Sequence, residues 1–360
     1  MMKFARRSVV LGGMSAAVGL LPKFARADRR RLILQCGSPS PNSGFIPFYV
    51  SQQLGFFSEE GLDVDIRYTR GATVAMQLLS AGQADVGFFV YDTLIAGYDQ
   101  GMRGTYFYQY YNKPIFLIGY PASGNIKSVG DLLGKRIGVA SLGSVGVAVA
   151  KSILRTYKLD PSSVTFVPIG VGNQAMIALE RGQVDAVCYW DAPFGTLEEL
   201  GAKLNYIEHP KLKNIGSGGY VAAQRVFNER PDDLIGFGRA IAKATAFVLK
   251  NPEAGIRIYW KVNPAGKPEG AESDAMKKAL VETKFIFNNM RVDPAADHGR
   301  PVFGKIDLGE LQQYIDVTAV ELGLKQSLRA DQIADPKLVA KINEFDVGKI
   351  NTLASSWAPG

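Results

Sequence analysis

Short apolar runs alternate with stretches of helical spacing along the first half of the chain. The runs Leu32–Gln35 and Val64–Tyr68 flank a helical stretch at Phe45–Phe57. A second helical stretch, Val74–Ala81, precedes the apolar run Asp85–Val90. Strand, helix, strand, helix, strand with short connections is the pattern of parallel sheets covered by helices. The pattern therefore predicts an α/β unit.

The same order of elements recurs further along the chain. Residues 76–91 read MQLLSAGQADVGFFVY and residues 176–190 read MIALERGQVDAVCYW, an offset of 100 residues (176 minus 76). The second set of predicted elements is Arg136–Ala140, Ser144–Tyr157, Val164–Ile169, a helix from Asn173, and Ala186–Trp190. This spacing far exceeds the repeat of a solenoid, so it predicts two similar lobes.

Right-handed crossovers make each predicted lobe a doubly wound α/β unit with a parallel or mixed sheet. Lobe one is predicted to comprise residues 28–116 and 221–360, and lobe two residues 117–220. The chain is predicted to leave lobe one near Ile115–Tyr120 and to return through a strand at Gly219–Ala223. Two crossings permit the lobes to close around a ligand in the cleft between them.

The remainder of the chain is mostly helical in spacing. The predicted helices are Pro231–Lys250, Pro252–Val262, Asp274–Phe287 and Leu308–Leu322, and we expect them to pack back on lobe one. Outside the N-terminus, no apolar run approaches the ~20 residues that a membrane-spanning helix needs. A polytopic membrane protein is therefore excluded.

Residues 1–27 have the three parts of a cleavable export signal. A basic start (MMKFARR) precedes the apolar stretch Val9–Leu21, and Ala25-Arg26-Ala27 ends the segment. The pair Arg6-Arg7 fits twin-arginine export as well as an ordinary Sec signal. Cleavage after Ala27 removes five of the 41 basic residues and none of the 34 acidic ones, which leaves 36 against 34 and lowers the net charge from +7 to +2. We therefore expect a soluble periplasmic protein and no nucleic-acid partner.

Cysteine and histidine are scarce in this chain. Two cysteines exclude a disulfide scaffold and a cysteine-based zinc site. Cys36 and Cys188 are expected to be buried thiols, and His209 and His298 are expected to lie at the surface. The sequence contains no P-loop and no recognisable nucleophile–base pair or metal cluster, so neither a cofactor nor a metal site is predicted.

Several motifs, taken in order, resemble one family of transport proteins. They are FIPFYVSQQLGFF at 45–57, EGLDV at 60–64, LLSAGQADVG at 78–87, YWDAPF at 189–194 and FNERP at 227–231. The resemblance covers roughly residues 32–262, and it is to the periplasmic substrate-binding proteins of ABC importers for alkanesulfonates, taurine, nitrate and thiamine-precursor pyrimidines. It implies the two-lobe (type II) periplasmic binding protein fold, a small-molecule ligand in the cleft, and an ABC permease with its ATPase as partners. A monomer is expected.

A cytosolic branch of this family is similar, but it is an enzyme that makes the thiamine pyrimidine from its own histidine. That branch carries a cysteine-dense motif, whereas this chain has only Cys36 and Cys188. Together with the export signal, this difference favours a binding protein over an enzyme. A periplasmic sensor is a third class, which the sequence does not separate from a transport protein.

Three loops lead into predicted helices at the carboxyl ends of strands, at Gly71–Thr73, Ser141–Ser144 and Gly170–Asn173. Helix N-termini expose unpaired N–H groups and a positive dipole end, which suit an anionic group. Hydroxyl groups add donors and glycines permit a close approach. The predicted ligand contacts in these loops are Gly71, Thr73, Ser141, Gly143, Ser144 and Asn173. Ordinary N-caps and tight turns are the alternative interpretation.

Aromatic residues supply a second set of candidates. Tyr91 and Trp190 follow the two repeated strands, and Phe45 begins the first helix. Opposed rings at the mouth of a cleft would hold a planar ligand or cover the apolar body of a sulfonate. Packing in the core or between the lobes is the alternative interpretation.

Two carboxylates, Asp92 and Asp191, also follow the repeated strands. A carboxylate in the cleft would accept hydrogen bonds from an amino group, from the amidine-like edge of a pyrimidine, or from an ammonium group. A simple anion would be repelled unless both carboxylates were capped. Since each aspartate precedes a predicted helix, a role as N-cap is the alternative interpretation.

These features predict the periplasmic solute-binding component of an ABC importer. The helix N-termini favour an anionic group and the rings favour an apolar or ring-shaped body, so the predicted ligand is an alkyl or aryl sulfonate or an aromatic carboxylate. A thiamine-precursor pyrimidine fits the rings and Asp191, and it is the alternative ligand. No bond is broken in this mechanism, because the ligand shifts the population toward a closed state.

Overall fold

The computed structural model describes residues 29–38, 40–297 and 300–359. The predicted export signal at residues 1–27 and the predicted surface residue His298 lie outside these ranges. Within the described ranges, no helix combines the length and the hydropathy that a membrane crossing requires.

The strands of the described residues form two five-stranded sheets and one hairpin. In chain order they are β1 (Arg30–Cys36), β2 (Leu62–Tyr68), β3 (Val86–Val90), β4 (Thr105–Tyr111), β5 (Leu117–Pro121), β6 (Arg136–Val139), β7 (Thr165–Pro168), β8 (Ala186–Tyr189), β9 (Leu204–Ile207), β10 (Gly218–Ala222), β11 (Val292–Asp297) and β12 (Arg300–Phe303). The first sheet has the strand order β2-β1-β3-β10-β4, the second has the order β7-β6-β8-β5-β9, and β11 pairs with β12.

Helices cover the sheets and form most of the C-terminal part. In chain order they are α1 (Ile46–Gln53), α2 (Phe56–Glu59), α3 (Ala72–Ser80), α4 (Tyr91–Tyr98), α5 (Val145–Thr156), α6 (Asn173–Glu180), α7 (Asp191–Glu199), α8 (Gln224–Glu229), α9 (Pro231–Lys250), α10 (Pro252–Val262), α11 (Glu272–Asn288), α12 (Leu308–Thr318), α13 (Val339–Ile342) and α14 (Val347–Ser356). Short 3-10 helices lie at Ser43–Phe45, Val129–Leu132, Pro161–Ser163, Pro264–Gly266, Ala330–Gln332 and Pro336–Leu338.

The internal repeat is visible in the topology of the two sheets. Strands β1, β2 and β3 are parallel in the order β2-β1-β3, and β6, β7 and β8 are parallel in the equivalent order β7-β6-β8. In each sheet an antiparallel strand then pairs with the third member, β10 with β3 and β5 with β8. The predicted two-lobe α/β fold with mixed sheets is therefore confirmed.

The repeated Gly-Gln-x-Asp motif has the same structural role in both lobes. Gly82 and Gly182 follow helices α3 and α6 with φ values of 72° and 59°, which is the left-handed conformation that glycine adopts at the end of a helix. Asp85 accepts a hydrogen bond from the backbone N–H of Ile33 at 2.9 Å. Asp185 accepts the equivalent bond at 2.9 Å from the first strand of its own lobe. The motif thus links each third strand to the first.

The chain passes from the first sheet to the second between β4 and β5, and it returns between β9 and β10. Strand β10 begins at Gly218, so the predicted boundary after residue 220 falls within this strand. Gly219 is required there, because a Cβ at this position would lie 2.1 Å from the carbonyl oxygen of Tyr108.

The aromatic run in β4 is part of the core of lobe one. Tyr106, Tyr108 and Tyr110 are each 2% exposed or less. Strand β4 lies at the edge of its sheet, but segments from the C-terminal part cover that edge. The N–H of Tyr106 donates to the carbonyl of Ile333 at 2.8 Å, and Tyr106 O accepts from the N–H of Asp335 at 3.0 Å. Covering an edge in this way removes a surface that would otherwise pair with another chain.

Helix α11 packs against both lobes at once. Ala275, Ala279 and Ile286 belong to the core of lobe one, whereas the ring of Phe285 lies 5.5 Å from the ring of Tyr206 in lobe two. The prediction that the C-terminal helices pack on lobe one fits α9, most of whose residues are buried in that core. It is incomplete for α11, because the helical pattern identifies an apolar face but not which lobes that face will contact.

We expect Gly195→Ala to destabilise the protein by about 1–3 kcal/mol, because this glycine lies where α7 and α11 meet. A Cβ on Gly195 would lie 2.0 Å from the carbonyl oxygen of Glu282 in α11, and neither backbone can yield without moving a helix. Thermal unfolding of the variant measures the effect. Gly130→Ala is the matched control, since a Cβ there would lie 3.6 Å from its nearest neighbour, Ser128 Oγ, which is an ordinary van der Waals distance. Equal melting temperatures for both variants would contradict this account.

Candidate functional site

A cavity of about 650 Å³ lies between the two sheets, at the carboxyl ends of the parallel strands. Its walls come from the segments that follow β1, β2 and β3 in lobe one and β6 and β8 in lobe two. Ligands of α/β proteins bind at this edge of the sheet. The volume is that of a site for one small organic molecule.

The cavity brings together most of the residues proposed as ligand contacts from the sequence. Those that line it are Phe45, Gly71, Thr73, Asp92, Ser141, Gly143, Ser144, Trp190 and Asp191. The first four come from lobe one and the others from lobe two. A ligand in this cavity would therefore contact both lobes.

Tyr91 does not line the cavity, contrary to the prediction. Its side chain is fully buried, its ring lies 4.8 Å from that of Tyr106 and 5.6 Å from that of Tyr314, and its hydroxyl donates to Gln109 at 3.0 Å. Tyr91 begins α4, and the residue before it, Val90, occupies the N-cap. In lobe two the N-cap is Trp190, so the two aromatic residues are not at equivalent positions.

Asn173 also lies outside the cavity. It is the first residue of α6, its side chain is exposed, and it is absent from the cavity wall. The glycine before it, Gly172, forms the N-cap with a φ of 66°. The loop before α6 is therefore a tight turn on the surface, which was the alternative interpretation.

Four aromatic residues that the sequence did not single out complete the wall. Phe88 and Phe89 lie within β3, Tyr111 ends β4, and Phe116 directly precedes β5. The ring of Phe116 lies 6.0 Å from that of Trp190. Phe88 lies 6.0 Å from Phe45. The density of aromatic residues at 106–111 was a signal for Tyr111, but the packing of strands decided which ring faces the cavity.

The charges of the cavity wall are mainly negative. Among the described residues that line it, the charged ones are Arg70, Asp92, Asp191 and Glu321. Arg70 is exposed, and Glu321 forms an ion pair with Arg155 at 2.6 Å. The two aspartates are buried and have neutral hydrogen-bond partners, and among the described residues neither forms an ion pair, although the charge of Lys113 lowers the pKa of Asp191 in part.

Asp92 is held by a tyrosine from the C-terminal part of the chain. The hydroxyl of Tyr314 in α12 donates to Asp92 Oδ2 at 2.5 Å, and the aspartate is 2% exposed. Burial raises the pKa of Asp92 to about 6, and the bond from Tyr314 offsets part of this rise. Burial raises the pKa because it disfavours the charged form.

Asp191 is held by an asparagine that follows α11. Asn289 Nδ2 donates to Asp191 Oδ2 at 3.3 Å, and the N–H of Ala192 donates to Oδ1 at 2.9 Å. Burial raises the pKa of Asp191 to about 6, and these hydrogen bonds lower it in part. Neither Asp191 nor Asp92 is an N-cap, since those positions are Trp190 and Val90. The two aspartates therefore do not occupy the N-cap positions, although Asp191 accepts one N–H of the first turn of α7, that of Ala192.

Two helix N-termini also reach the cavity. Helix α3 has Gly71 as its N-cap with no side-chain hydrogen bond, and Thr73 lies in its first turn. At the start of α5, the hydroxyl of Ser144 accepts a bond from the N–H of Gly146 at 3.2 Å. Ser144 thus has the capping role that was its alternative interpretation, while it also lines the cavity.

The two cysteines are free and buried, as predicted. His209 is 2% exposed, contrary to the prediction of a surface residue. Its Nε2 lies 3.1 Å from the hydroxyl of Ser152, and burial lowers the pKa of His209 to about 4. Among the described residues, no three His, Cys, Asp or Glu side chains cluster as a metal site would require.

Comparisons with known proteins place this architecture in a family. Residues 42–255 match the family model described as NMT1/THI5 like. The chain is 26% identical over 227 residues to the 4-amino-5-hydroxymethyl-2-methylpyrimidine phosphate synthase of Legionella pneumophila, an alignment that covers 61% of this chain and 69% of the enzyme. It is 23% identical over 226 residues to the formylaminopyrimidine-binding protein of Halalkalibacterium halodurans, with coverage of 61% and 66%.

Solved structures show the same fold. The periplasmic aliphatic sulphonate binding protein of Escherichia coli superimposes with a TM-score of 0.63 at 16% identity, over 86% of this chain and 91% of that one. The family match covers more than half of the chain, and the sheet topology agrees with it. The protein therefore belongs to the NMT1/THI5-like family and has the periplasmic binding protein fold.

Proposed function

We propose that this protein is the periplasmic solute-binding component of an ABC importer and that its ligand is a planar aminopyrimidine. One observation carries the proposal: two buried carboxylates, Asp92 and Asp191, face one aromatic-walled cavity from different lobes. An amino-substituted ring offers N–H donors to both carboxylates and a flat face to Trp190 and Phe116.

Binding of this kind accounts for a role in transport. A ligand that bridges Asp92 and Asp191 stabilises the arrangement in which the lobes are together, so it shifts the population toward that state. A permease that recognises the closed arrangement would then receive loaded protein. The export signal that the sequence predicts at residues 1–27 supports a periplasmic location.

The relatives support a pyrimidine ligand over the organic anion that the helix N-termini suggested. Both relatives described above are named for pyrimidines, one as a synthase and one as a binding protein. The cavity agrees with them, because an anion would meet the buried carboxylates of Asp92 and Asp191, neither of which forms an ion pair among the described residues.

An organic anion such as an alkyl or aryl sulfonate is the second candidate. The N-terminus of α3 favours it, since Gly71 provides no side-chain cap and the neighbouring Arg70 lines the cavity. In this alternative the anionic group would lie against α3, away from the two aspartates, and the aromatic wall would cover the apolar body.

A thermal-shift panel on the mature protein tests the proposal. The probes are 4-amino-5-hydroxymethyl-2-methylpyrimidine, formylaminopyrimidine, an alkanesulfonate and an aromatic carboxylate. A ligand at 100 times its Kd adds about 2.7 kcal/mol of stability, which raises the melting temperature by several degrees. We expect a shift with a pyrimidine and none with the anions. A shift with the sulfonate alone would overturn the pyrimidine assignment in favour of the second candidate.

Analysis of the ligand in the same samples distinguishes a binding protein from an enzyme. Mass spectrometry of the ligand after incubation should recover it unchanged, since binding breaks no bond. A new product that forms in proportion to the protein would show an enzyme on this fold and contradict the transport proposal.

A further inference from the structure

The two aspartates of the cavity are both held by side chains from the C-terminal part of the chain. Each accepts one side-chain hydrogen bond, and both donors, Asn289 and Tyr314, lie beyond the family match at residues 42–255. We propose that Tyr314 and Asn289 are positioning residues that fix the orientation of Asp92 and Asp191 toward the ligand and so set its selectivity. This inference rests on the proposed function.

Tyr314 is itself held firmly. It is 3% exposed, and its ring lies 5.6 Å from that of Tyr91. Helix α12, which carries it, begins with a side-chain cap in which Asp307 accepts bonds from the N–H groups of Gly309 and Glu310. Tyr314 therefore fixes one carboxylate oxygen of Asp92, Oδ2, and this contact restrains the orientation of the whole group.

Asn289 is anchored through its backbone. It is 3% exposed, and its carbonyl accepts a bond at 2.9 Å from the N–H of Asn112, in the segment that crosses between the lobes. Its side-chain amide reaches Asp191 Oδ2. A residue that contacts the crossing segment and a cavity carboxylate is well placed to orient Asp191 relative to lobe one.

Both donors are neutral, and this property matters for selectivity. A lysine or arginine in their place would neutralise each carboxylate and remove the attraction for a donor-rich ligand. A hydroxyl or an amide restrains the carboxylate and leaves its charge available. The C-terminal part of the chain thus acts on recognition through the two aspartates, although it contributes few residues to the cavity wall.

The bond from Tyr314 also affects when Asp92 is ionised. Three tyrosines lie beside Asp92, and they are Tyr91, Tyr106 and Tyr314. His209 and Glu321 line a second, smaller cavity that Asp92 and Tyr314 also line, and Glu321 is paired with Arg155. Burial lowers the pKa of His209 to about 4, so this side chain stays neutral at the pH values considered below. The bond from Tyr314 favours the ionised form of Asp92, so its loss would raise the pKa of Asp92 above its present value of about 6.

Tyr314→Phe tests the inference through the pH dependence of binding. In the wild type, affinity for 4-amino-5-hydroxymethyl-2-methylpyrimidine should fall as the pH drops through about 6, because Asp92 takes up a proton. In the variant the same loss should occur at higher pH, with affinity about tenfold lower at pH 6.5 and recovered near pH 8.5. The protonation of the ligand is common to both proteins and does not enter the difference.

Tyr206→Phe is the matched control. Its hydroxyl donates to Glu198 at 2.8 Å, so the variant also loses a bond between a tyrosine and a carboxylate, but Tyr206 does not line the cavity. Its pH profile should equal that of the wild type. A shift of the same size in both variants would contradict a specific role for Tyr314.

Asn289→Leu provides a second variant with a different measurement. The wild type should bind the 4-amino probe at least tenfold more tightly than 5-hydroxymethyl-2-methylpyrimidine, which lacks the amino group. The variant should lose most of this preference, because Asp191 is no longer held toward the amino group. An unchanged preference in a folded Asn289→Leu protein would overturn the role of Asn289.

A measurement without ligand separates this inference from the proposed function. Carbon-13 NMR of labelled aspartate carboxyls in the unliganded protein should show a higher pKa for Asp92 in Tyr314→Phe than in the wild type. If that difference is present but no pyrimidine binds, the proposed function fails and the ligand selectivity inferred from it falls too. If pyrimidine binds but neither variant changes the pH profile or the preference, the positioning inference fails while the proposed function stands.

Discussion

Asp191→Asn is expected to weaken aminopyrimidine binding by about 10- to 100-fold and yet to stabilise the unliganded protein at pH 7.5 by about 1–3 kcal/mol. The loss of affinity follows because an ionised acceptor is replaced by a neutral amide. The gain in stability follows because Asp191 is buried without a cationic partner in direct contact, and burial raises its pKa to about 6. Isothermal titration and thermal unfolding measure the two effects.

The dependence of the stability gain on pH provides an internal check. Between about pH 4 and 6 the folded protein holds a proton on Asp191 that the unfolded chain has released, so wild-type stability falls as the pH rises through this range. The advantage of Asp191→Asn should therefore be full above pH 6 and absent below about pH 4. The amide of Asn289 can accommodate the change, since its Oδ1 is buried without a partner among the described residues.

Asp131→Asn is the control with the opposite sign. This aspartate accepts bonds from the N–H groups of Lys127 and Ser128, which hold the pKa of its carboxyl below the usual range. Its replacement should lower the melting temperature and leave ligand affinity unchanged. If Asp191→Asn instead unfolds the protein, Asp191 is a structural residue and the binding role assigned to it is wrong.

Trp190→Ala should weaken pyrimidine binding by about 10- to 100-fold, because stacking of a base on an aromatic side chain is worth about 1–3 kcal/mol. The indole lines the cavity beside Phe116 and is partly exposed, so its removal leaves the core of lobe two intact. Trp190 caps α7 through its backbone only, and alanine preserves that role. The melting temperature of the unliganded protein should change little.

Trp260→Ala is the matched control for this substitution. Trp260 is 7% exposed and lies in the core of lobe one, outside the cavity wall. Its truncation should cost about 3–5 kcal/mol of stability and leave affinity near the wild-type value where the protein remains folded. Equal losses of affinity in the two variants would show that Trp190 acts through stability and not through contact with the ligand.

The elements and their repetition are local properties, and the sequence predicted them well. Alternation of apolar residues marks strands, helical spacing marks helices, and glycines such as Gly82 and Gly182 mark the ends of helices by their backbone freedom. The order of these elements limits the topologies that the chain can adopt, because parallel strands need right-handed crossovers. The two-lobe fold follows from these rules.

Side-chain direction was harder to predict where a strand turns into a helix. Tyr91 and Asp92 are neighbours, yet one is sealed under β4 and the other reaches the cavity. Successive residues of a helix point about 100° apart, so a difference of one residue in the start of α4 exchanges their roles. The burial of His209 was hard to predict for a related reason, since its hydrogen-bond partners, Ser152 and Thr156, belong to α5 and are distant in the sequence.

The sequence by itself determined which elements this chain forms, that they form two related lobes, and which loops meet at the carboxyl ends of the strands. Only the tertiary structure decided how the two aspartates of the cavity are held and how deeply they are buried. Tyr314 is 222 residues from Asp92 along the chain, and Asn289 is 98 residues from Asp191. The burial that raises the pKa of each aspartate, and the donor that restrains it, exist only after both lobes and the C-terminal helices have packed, because desolvation is a property of the whole fold.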